Sequence, residues 1–199
     1  LDGDDRPVIA FQQAASLIGD VLVARWTGGE WSVEAVDTRG DQGDYVSLIV
    51  DAQGALHLTY YDSMGDDLRY ATDRSGQWAT YTVRWRGSVG WGCDLALDEN
   101  GDVFIAYLDD TFANDVRLLL AMGGEDDWTV VGLDNAAANQ SYSGMPIAAD
   151  ADGTLHLLYQ PSSDGGMKYA SNRGGQWRSG LVDGYPDAGL HQSVALDDD

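Results

Sequence analysis

Val50-Asp51-Ala52-Gln53-Gly54-Ala55-Leu56-His57-Leu58-Thr59-Tyr60 decides the fold, because the chain spells this phrase four times. An apolar residue leads into an Asp-containing turn, and an alternating apolar run then ends in Tyr or Phe. The other copies occupy residues 1–11, 97–107 and 149–159. Each is followed by a second short alternating run, then by Gly and a tryptophan: Trp31, Trp78, Trp128 and Trp177. The tryptophans are spaced by 47, 50 and 49 residues, and Asp2, Asp51, Asp98 and Asp150 by 49, 47 and 52. A period near 50 with several short strands per unit is the mark of a propeller blade.

Alternation within one unit places the strands. Residues 47–50, 56–61, 68–71 and 78–83 each have period-two patterning. The turn holding Asp51, Gln53 and Gly54 joins the first two, since Asp bonds a turn backbone and Gly accepts a positive φ. Asp73-Arg74-Ser75-Gly76-Gln77, which recurs as Asn172-Arg173-Gly174-Gly175-Gln176, reads as the hairpin between the last two. No stretch carries a capped 3.6-residue stripe, so little helix is expected. The expectation is one all-β domain over residues 1–199: a β-propeller of four blades with four antiparallel strands each.

The expected blades are residues 193–199 with 1–37, then 46–83, 93–133 and 145–183. Residues Ser193-Val194-Ala195-Leu196-Asp197 repeat a first strand, while Leu1 stands at the turn that follows such a strand. Pairing the two would complete the first blade and close the ring, removing exposed sheet edges. A piece of a larger ring, or two chains sharing one, is the rival arrangement. Ser47, Asp94, Pro146 and Ser193 begin the four first strands and are expected to line the central channel.

Composition narrows the partners. The net charge is −22, with 33 acidic residues of which only four are Glu, against ten Arg and the single Lys168. Such a surface repels phosphate, so nucleic acid and anionic membranes are poor partners. No run of 18 apolar residues exists to cross a bilayer, and membrane insertion is not expected. Cys93 is the only cysteine, so no intramolecular disulfide forms. The Asp excess is read as turn chemistry repeated in every blade.

The phrases VDAQGALHLTYYDSMGDDLRYATDRSGQW (residues 50–78) and ADADGTLHLLYQPSSDGGMKYASNRGGQW (residues 149–177) resemble the repeats of bacterial sialidase-like, Asp-box-related propeller proteins. Thr72, Asp73, Gly76 and Trp78 approximate the Asp-box, with a shorter Gly-to-Trp gap than that pattern has. The resemblance covers nearly the whole chain. It is built from scaffold residues, so it implies a fold more than an activity.

Sialidase-like catalysis would need an arginine cluster, a Tyr nucleophile with a Glu partner, and an acid Asp. Arg25, Arg69, Arg84, Arg86 and Arg117 are available, but Arg69 and Arg117 are expected at corresponding third-strand positions, which favours a scaffold or surface role. Glu30 and Glu125 sit in hairpin turns, Glu34 follows Trp31, and Glu99 lies in an Asp turn. No pair of placed carboxylates emerges, and no catalytic residue is assigned. His57 and His156 hold the same repeat position, as structural residues do, and His191 stands alone in a connector. Asp2-Gly3-Asp4-Asp5 and Asp150-Ala151-Asp152-Gly153 resemble fragments of calcium loops but lack the closing Glu. No metal site or cofactor is assigned, beyond weak calcium binding by so acidic a chain.

The remaining chemistry lies on the face made by the connectors between blades and the loops between second and third strands. Connectors carry Tyr45, Trp85, Trp91, Tyr142 and Tyr185, and the adjoining loops carry Asp62, Asp66, Asp109, Asp110 and Asp164. Aromatic rings stack on pyranose faces and carboxylates accept hydroxyl hydrogen bonds, so such a surface suits glycans. It also suits proteins, where Tyr and Trp anchor contacts. The candidate ligand-binding residues are Tyr45, Trp91, Tyr142, Tyr185, Asp62 and Asp109. Trp91 is expected to be a binding residue whose loss spares the fold.

The leading reading is a noncatalytic recognition module for a glycan, with protein as the second ligand. A structural or assembly subunit of a larger extracellular complex, self-associating through an edge or face, is the alternative. A glycoside hydrolase comes third. The recognition reading carries an expected location outside the cell or at its surface.

Overall fold

A computed structural model of the chain describes residues 1–15, 18–112, 116–135, 144–161, 166–185, 188 and 192–197. Among them run the strands β1 Val8–Ala15, β2 Ile18–Trp26, β3 Trp31–Asp37, β4 Gln42–Val50, β5 Leu56–Asp62, β6 Asp67–Thr72, β7 Ala79–Arg84, β8 Val89–Leu97, β9 Val103–Asp109, β10 Arg117–Gly124, β11 Asp127–Asn135, β12 Ile147–Ala149, β13 Leu155–Tyr159, β14 Met167–Ser171 and β15 Arg178–Asp183. They form four antiparallel sheets taken in chain order, β1 to β3, β4 to β7, β8 to β11 and β12 to β15. Each repeat is therefore one blade, and the fold is a four-bladed β-propeller. No helix among the described residues is long and apolar enough to cross a membrane.

The repeated Asp has the same task in every blade. Oδ1 of Asp51 accepts hydrogen bonds from the backbone N–H groups of Gln53 and Ala55, at 2.9 and 2.8 Å. Asp2, Asp98 and Asp150 bond the residues two and four positions on in the same way. The tip of the turn needs a left-handed backbone, which Gly54, Gly101 and Gly153 adopt freely. Blade 1 holds it with Asp5, at φ 57°. Asp2 and Asp150, which open the two stretches that resemble calcium loops, thus have Oδ1 engaged in turn bonds.

A second device repeats between the third and fourth strands. Each blade has a β-bulge there, and the extra residue is Val36, Val83, Leu133 or Val182. A bulge re-aims one side chain. Val36 and Val83 drop into the cores between blades, and Leu133 packs against the next one.

Three apolar clusters fasten the blades together. The first joins Val21, Val23 and Val36 of blade 1 to Leu56, Leu58 and Tyr60 of blade 2. The second joins Leu68, Tyr70 and Val83 to Val103, Ile105 and Tyr107 of blade 3. The third joins Ala106, Leu108, Leu118 and Leu120 to Leu155, Leu157 and Tyr159 of blade 4. Trp78, Trp128 and Trp177 pack one against each cluster.

The seam between blade 4 and blade 1 differs. Blade 1 has three strands rather than four, and the closing strand expected at residues 193–197 is not formed, because residues 192–197 belong to no sheet. The Gln192 amide donates to the carbonyls of Gly144 and Leu158, at 3.1 and 3.2 Å, which holds this segment on blade 4. Among the described residues no backbone bond joins it to β1.

Candidate functional site

Each blade has a turn end and a connector end, and the two are built differently. At the turn end, Oδ2 of Asp51 lies 3.2 Å from Nε2 of His57, whose Nδ1 lies 2.6 Å from the hydroxyl of Tyr70. Blade 4 repeats this with Asp150, His156 and Tyr169, at 3.1 and 2.7 Å. His57 is fully buried, and burial is the main cause of a pKa below the usual histidine value. Burial alone would raise the Asp51 carboxyl, but bonds from His57 and from the turn backbone outweigh it and hold it low. Both ring nitrogens are satisfied, so these histidines brace a blade.

A cavity of about 260 Å³ opens at this end between blades 2 and 3, lined among others by Tyr70, Arg74, Asp102 and Glu125. The Arg74 guanidinium is already engaged there, 3.4 Å from the carbonyl of Gly101 and 3.5 Å from Asp51.

The connector end opens into the central channel. A basin of about 470 Å³ is lined by Ser47, Asp94, Pro146 and Ser193, the four residues expected to begin the first strands, together with Tyr45, Cys93 and Gln192. Asp94 is a clamp: its Oδ1 accepts the Ser47 hydroxyl of blade 2 at 2.5 Å, and its Oδ2 accepts the backbone N–H of Ile147 of blade 4 at 3.1 Å. Burial pushes its carboxyl pKa up, and the two bonds offset part of that. Cys93 is buried, and burial pushes its thiol up to about 12, so it is a packing residue rather than a nucleophile.

The connector between blades 2 and 3 and the loop after β9 form a crest that meets the basin's lining at Tyr45, against which Trp91 packs. Trp91 packs against Tyr61 with ring centroids 4.8 Å apart and against Tyr45 at 6.1 Å. Its indole N–H donates to the Ser88 hydroxyl at 2.8 Å. Ser88 in turn is tied to the next loop, its backbone N–H bonding the Thr111 hydroxyl at 3.1 Å and its carbonyl accepting Asp110 N–H at 2.8 Å. These bonds tie together two loops that each carry an exposed aromatic, Trp85 at 62% exposure and Phe112 at 57%. Each carries a guanidinium over its ring, Arg86 at 4.7 Å from Trp85 and Arg117 at 5.5 Å from Phe112.

The six candidates separate accordingly. Tyr45 and Trp91 come together, but both are half-buried and packed against the interblade cores. Asp62 bonds the backbone of Met64 and Gly65, and Asp109 bonds the backbone and hydroxyl of Thr111, so each shapes its own loop. Tyr185 is exposed beyond β15, with its backbone bonded to Asp183 and Ala188. Tyr142, like His191 and Asp164, lies outside the described residues. Sequence reasoning counted Trp85 among the connector aromatics without selecting it, and missed Phe112 and Tyr61. An aromatic two residues past the Asp109-Asp110 pair was the available signal for Phe112.

Among the described residues no three His, Cys, Asp or Glu side chains are grouped to hold a metal ion. No family model matches the chain, and no curated protein does. Solved structures do. The SapL1 lectin in complex with alpha methyl fucoside is similar with a TM-score of 0.60 at 15% identity, over 94% of this chain and 66% of that one. An Aleuria aurantia lectin is similar at 0.51 and 15%, over 96% and 68%. The leech intramolecular trans-sialidase is similar at 0.57 and 11%, over 83% and 30%. These likenesses establish a shared propeller scaffold. This chain spans about two thirds of the length of each lectin chain.

Proposed function

We propose that this chain is a noncatalytic recognition module that binds a glycan on the connector crest between blades 2 and 3. The observation that carries the reading is the pair of exposed aromatic rings, Trp85 and Phe112, each beside an arginine. An exposed indole gives a sugar ring an apolar face to stack on, and the guanidinium beside it donates to hydroxyls. Asp110 and Thr111 supply acceptors on the same loop. Two lectins among the similar structures support the choice of ligand class, and the one solved with alpha methyl fucoside makes that sugar the first probe. Protein is the second ligand class, since Trp and Arg are the residues that dominate protein contacts.

A glycan-array screen of the chain, beside a Trp85→Ala/Phe112→Ala variant, tests the reading. Binding to a defined sugar that the variant loses supports it. Binding that the variant keeps moves the site off the crest, and a blank array with folded protein removes the glycan.

A further inference from the structure

We propose that the glycan bound on the connector crest carries a carboxylate, as a uronic acid does, and that Arg84 and Arg86 hold this group at the junction of blades 2 and 3. The inference rests on the glycan reading above and names the class of sugar. The repeat supplies its own standard of comparison. The residue after the bulge of the outermost strand is Asp37 in blade 1 and Asp134 in blade 3. The following blade meets each of them with a tyrosine and a cation that pair across its second and third strands, Tyr60 with Arg69 and Tyr159 with Lys168. The Tyr60 hydroxyl donates to Asp37 at 2.8 Å, with the Arg69 guanidinium 3.7 Å from the same carboxylate. The Tyr159 hydroxyl donates to Asp134 at 2.7 Å, with the Lys168 ammonium at 3.0 Å.

The junction between blades 2 and 3 inverts this network. Arg84 follows the bulge, and the residue paired with Tyr107 is Leu119. The carboxylate is missing, and the cation stands on the opposite side. Tyr107 is 0% exposed, and its hydroxyl has no hydrogen-bond partner among the described residues. Burial pushes that hydroxyl's pKa up, and the charge of Arg84 opposes the rise. A buried donor without an acceptor is costly, and a donor beside an uncompensated guanidinium is the complement of a carboxylate.

The pairing of charges points the same way. Arg6, Arg25, Arg39, Arg69 and Arg74 each pair with a carboxylate. Arg84 and Arg86 flank Trp85 and are exposed, yet among the described residues no carboxylate pairs with either, in a chain of 33 acidic residues. Asp109, on the adjoining loop, is engaged by Thr111. An exposed arginine re-aims readily, so a sugar carboxylate held by Arg84 can enter the place that Asp37 and Asp134 fill elsewhere and accept the Tyr107 hydroxyl. The net charge of −22 does not cancel such a site, because distant charges are screened beyond about 8 Å at physiological salt and contacts within a junction much less.

Calorimetric titration of the 199-residue chain with oligogalacturonate and oligoglucuronate, each beside its methyl ester, tests the inference, since esterification removes the charge and keeps the sugar. At least one acid should bind about tenfold more tightly than its ester. Arg84→Gln and Arg84→Asp should erase that ratio. The second copies Asp37 and Asp134 and gives Tyr107 an acceptor, so its thermal melt should be preserved. Tyr107→Phe should weaken the acid more than the ester without lowering the melt, a result that a purely structural hydroxyl would not give. Equal binding of acid and ester, both lost in Trp85→Ala/Phe112→Ala, would overturn the inference and leave the glycan site on the crest. Binding of a neutral sugar there with no uronate bound would do the same. An acid preference that survives both Arg84 variants would also overturn it, and no binding of any glycan would remove this inference together with the reading beneath it.

Discussion

The turn end and the connector end of the blades are made from the same strands, yet they use aromatic and acidic residues in opposite ways. At the turn end Asp51-His57-Tyr70 recurs as Asp150-His156-Tyr169 with matching distances, and every polar atom of the two imidazoles has a partner. At the connector end the exposed aromatics do not repeat: Trp85 and Phe112 have no counterparts in register, and both stand in solvent. Repetition with satisfied bonds marks the scaffold. Divergence with exposed apolar rings marks the surface available to a ligand, because such rings gain free energy only when something covers them.

Substitutions can break or sharpen this contrast. The largest effect is expected at the turn end, where Tyr70 is buried, bonded to His57 and packed edge-on against Trp128 at 5.4 Å. Tyr70→Ala should destabilise the fold by about 4 kcal/mol in denaturant titration. A loss below about 1 kcal/mol would mean that this end is not the scaffold. Next comes Trp91, which tests whether the connector end has scaffold of its own. Its half-buried ring packs on Tyr61 and Tyr45, so Trp91→Ala should cost about 2 kcal/mol. The sequence alone suggested that this change would spare the fold.

A smaller effect is expected from pH. The unfolded chain takes up the His57 proton near pH 6.5, while burial makes the folded chain take it up only at lower pH. Stability from the neutral buried ring is therefore full above that value and falls as pH drops through it toward the folded pKa. Thermal melts between about pH 7.5 and pH 5 should show this decline. His57→Phe, which copies Phe104 of blade 3, should flatten it; an unchanged slope would assign the decline to other groups.

Most of the scaffold was legible because its signals are local. Asp51 bonds residues two and four positions on, and Trp78 follows at a fixed distance, so each leaves a mark in the linear sequence. The seam was not legible. Residues 193–197 have the pattern of a first strand, but a strand pattern does not name its partner, and the expected pairing with β1 is absent among the described residues. The packing of Trp91 was not legible for a related reason. Its strand begins at Val89 and is broken by register shifts on either side of Trp91, so period two is lost and the Gly-rich stretch reads as a connector. Positive φ at Gly90 and Gly92 permits those irregularities, which aim the indole at Tyr61 rather than at solvent. Trp85, outside any strand, carried no pattern to separate it from its neighbours.

The smallest expected effect on stability is at Trp85, where replacement by Ala should change unfolding free energy by less than about 0.5 kcal/mol. The most direct test of the account uses that residue as a reporter. Seven tryptophan indole signals are available in a proton–nitrogen correlation spectrum, and Trp85→Phe identifies one of them by its disappearance. Titration with alpha methyl fucoside, or with the sugar found by array, should shift the Trp85 signal saturably while the junction tryptophans Trp78, Trp128 and Trp177 stay in place. Saturable shifts confined to those three, with Trp85 unmoved, would contradict a recognition site on the connector crest.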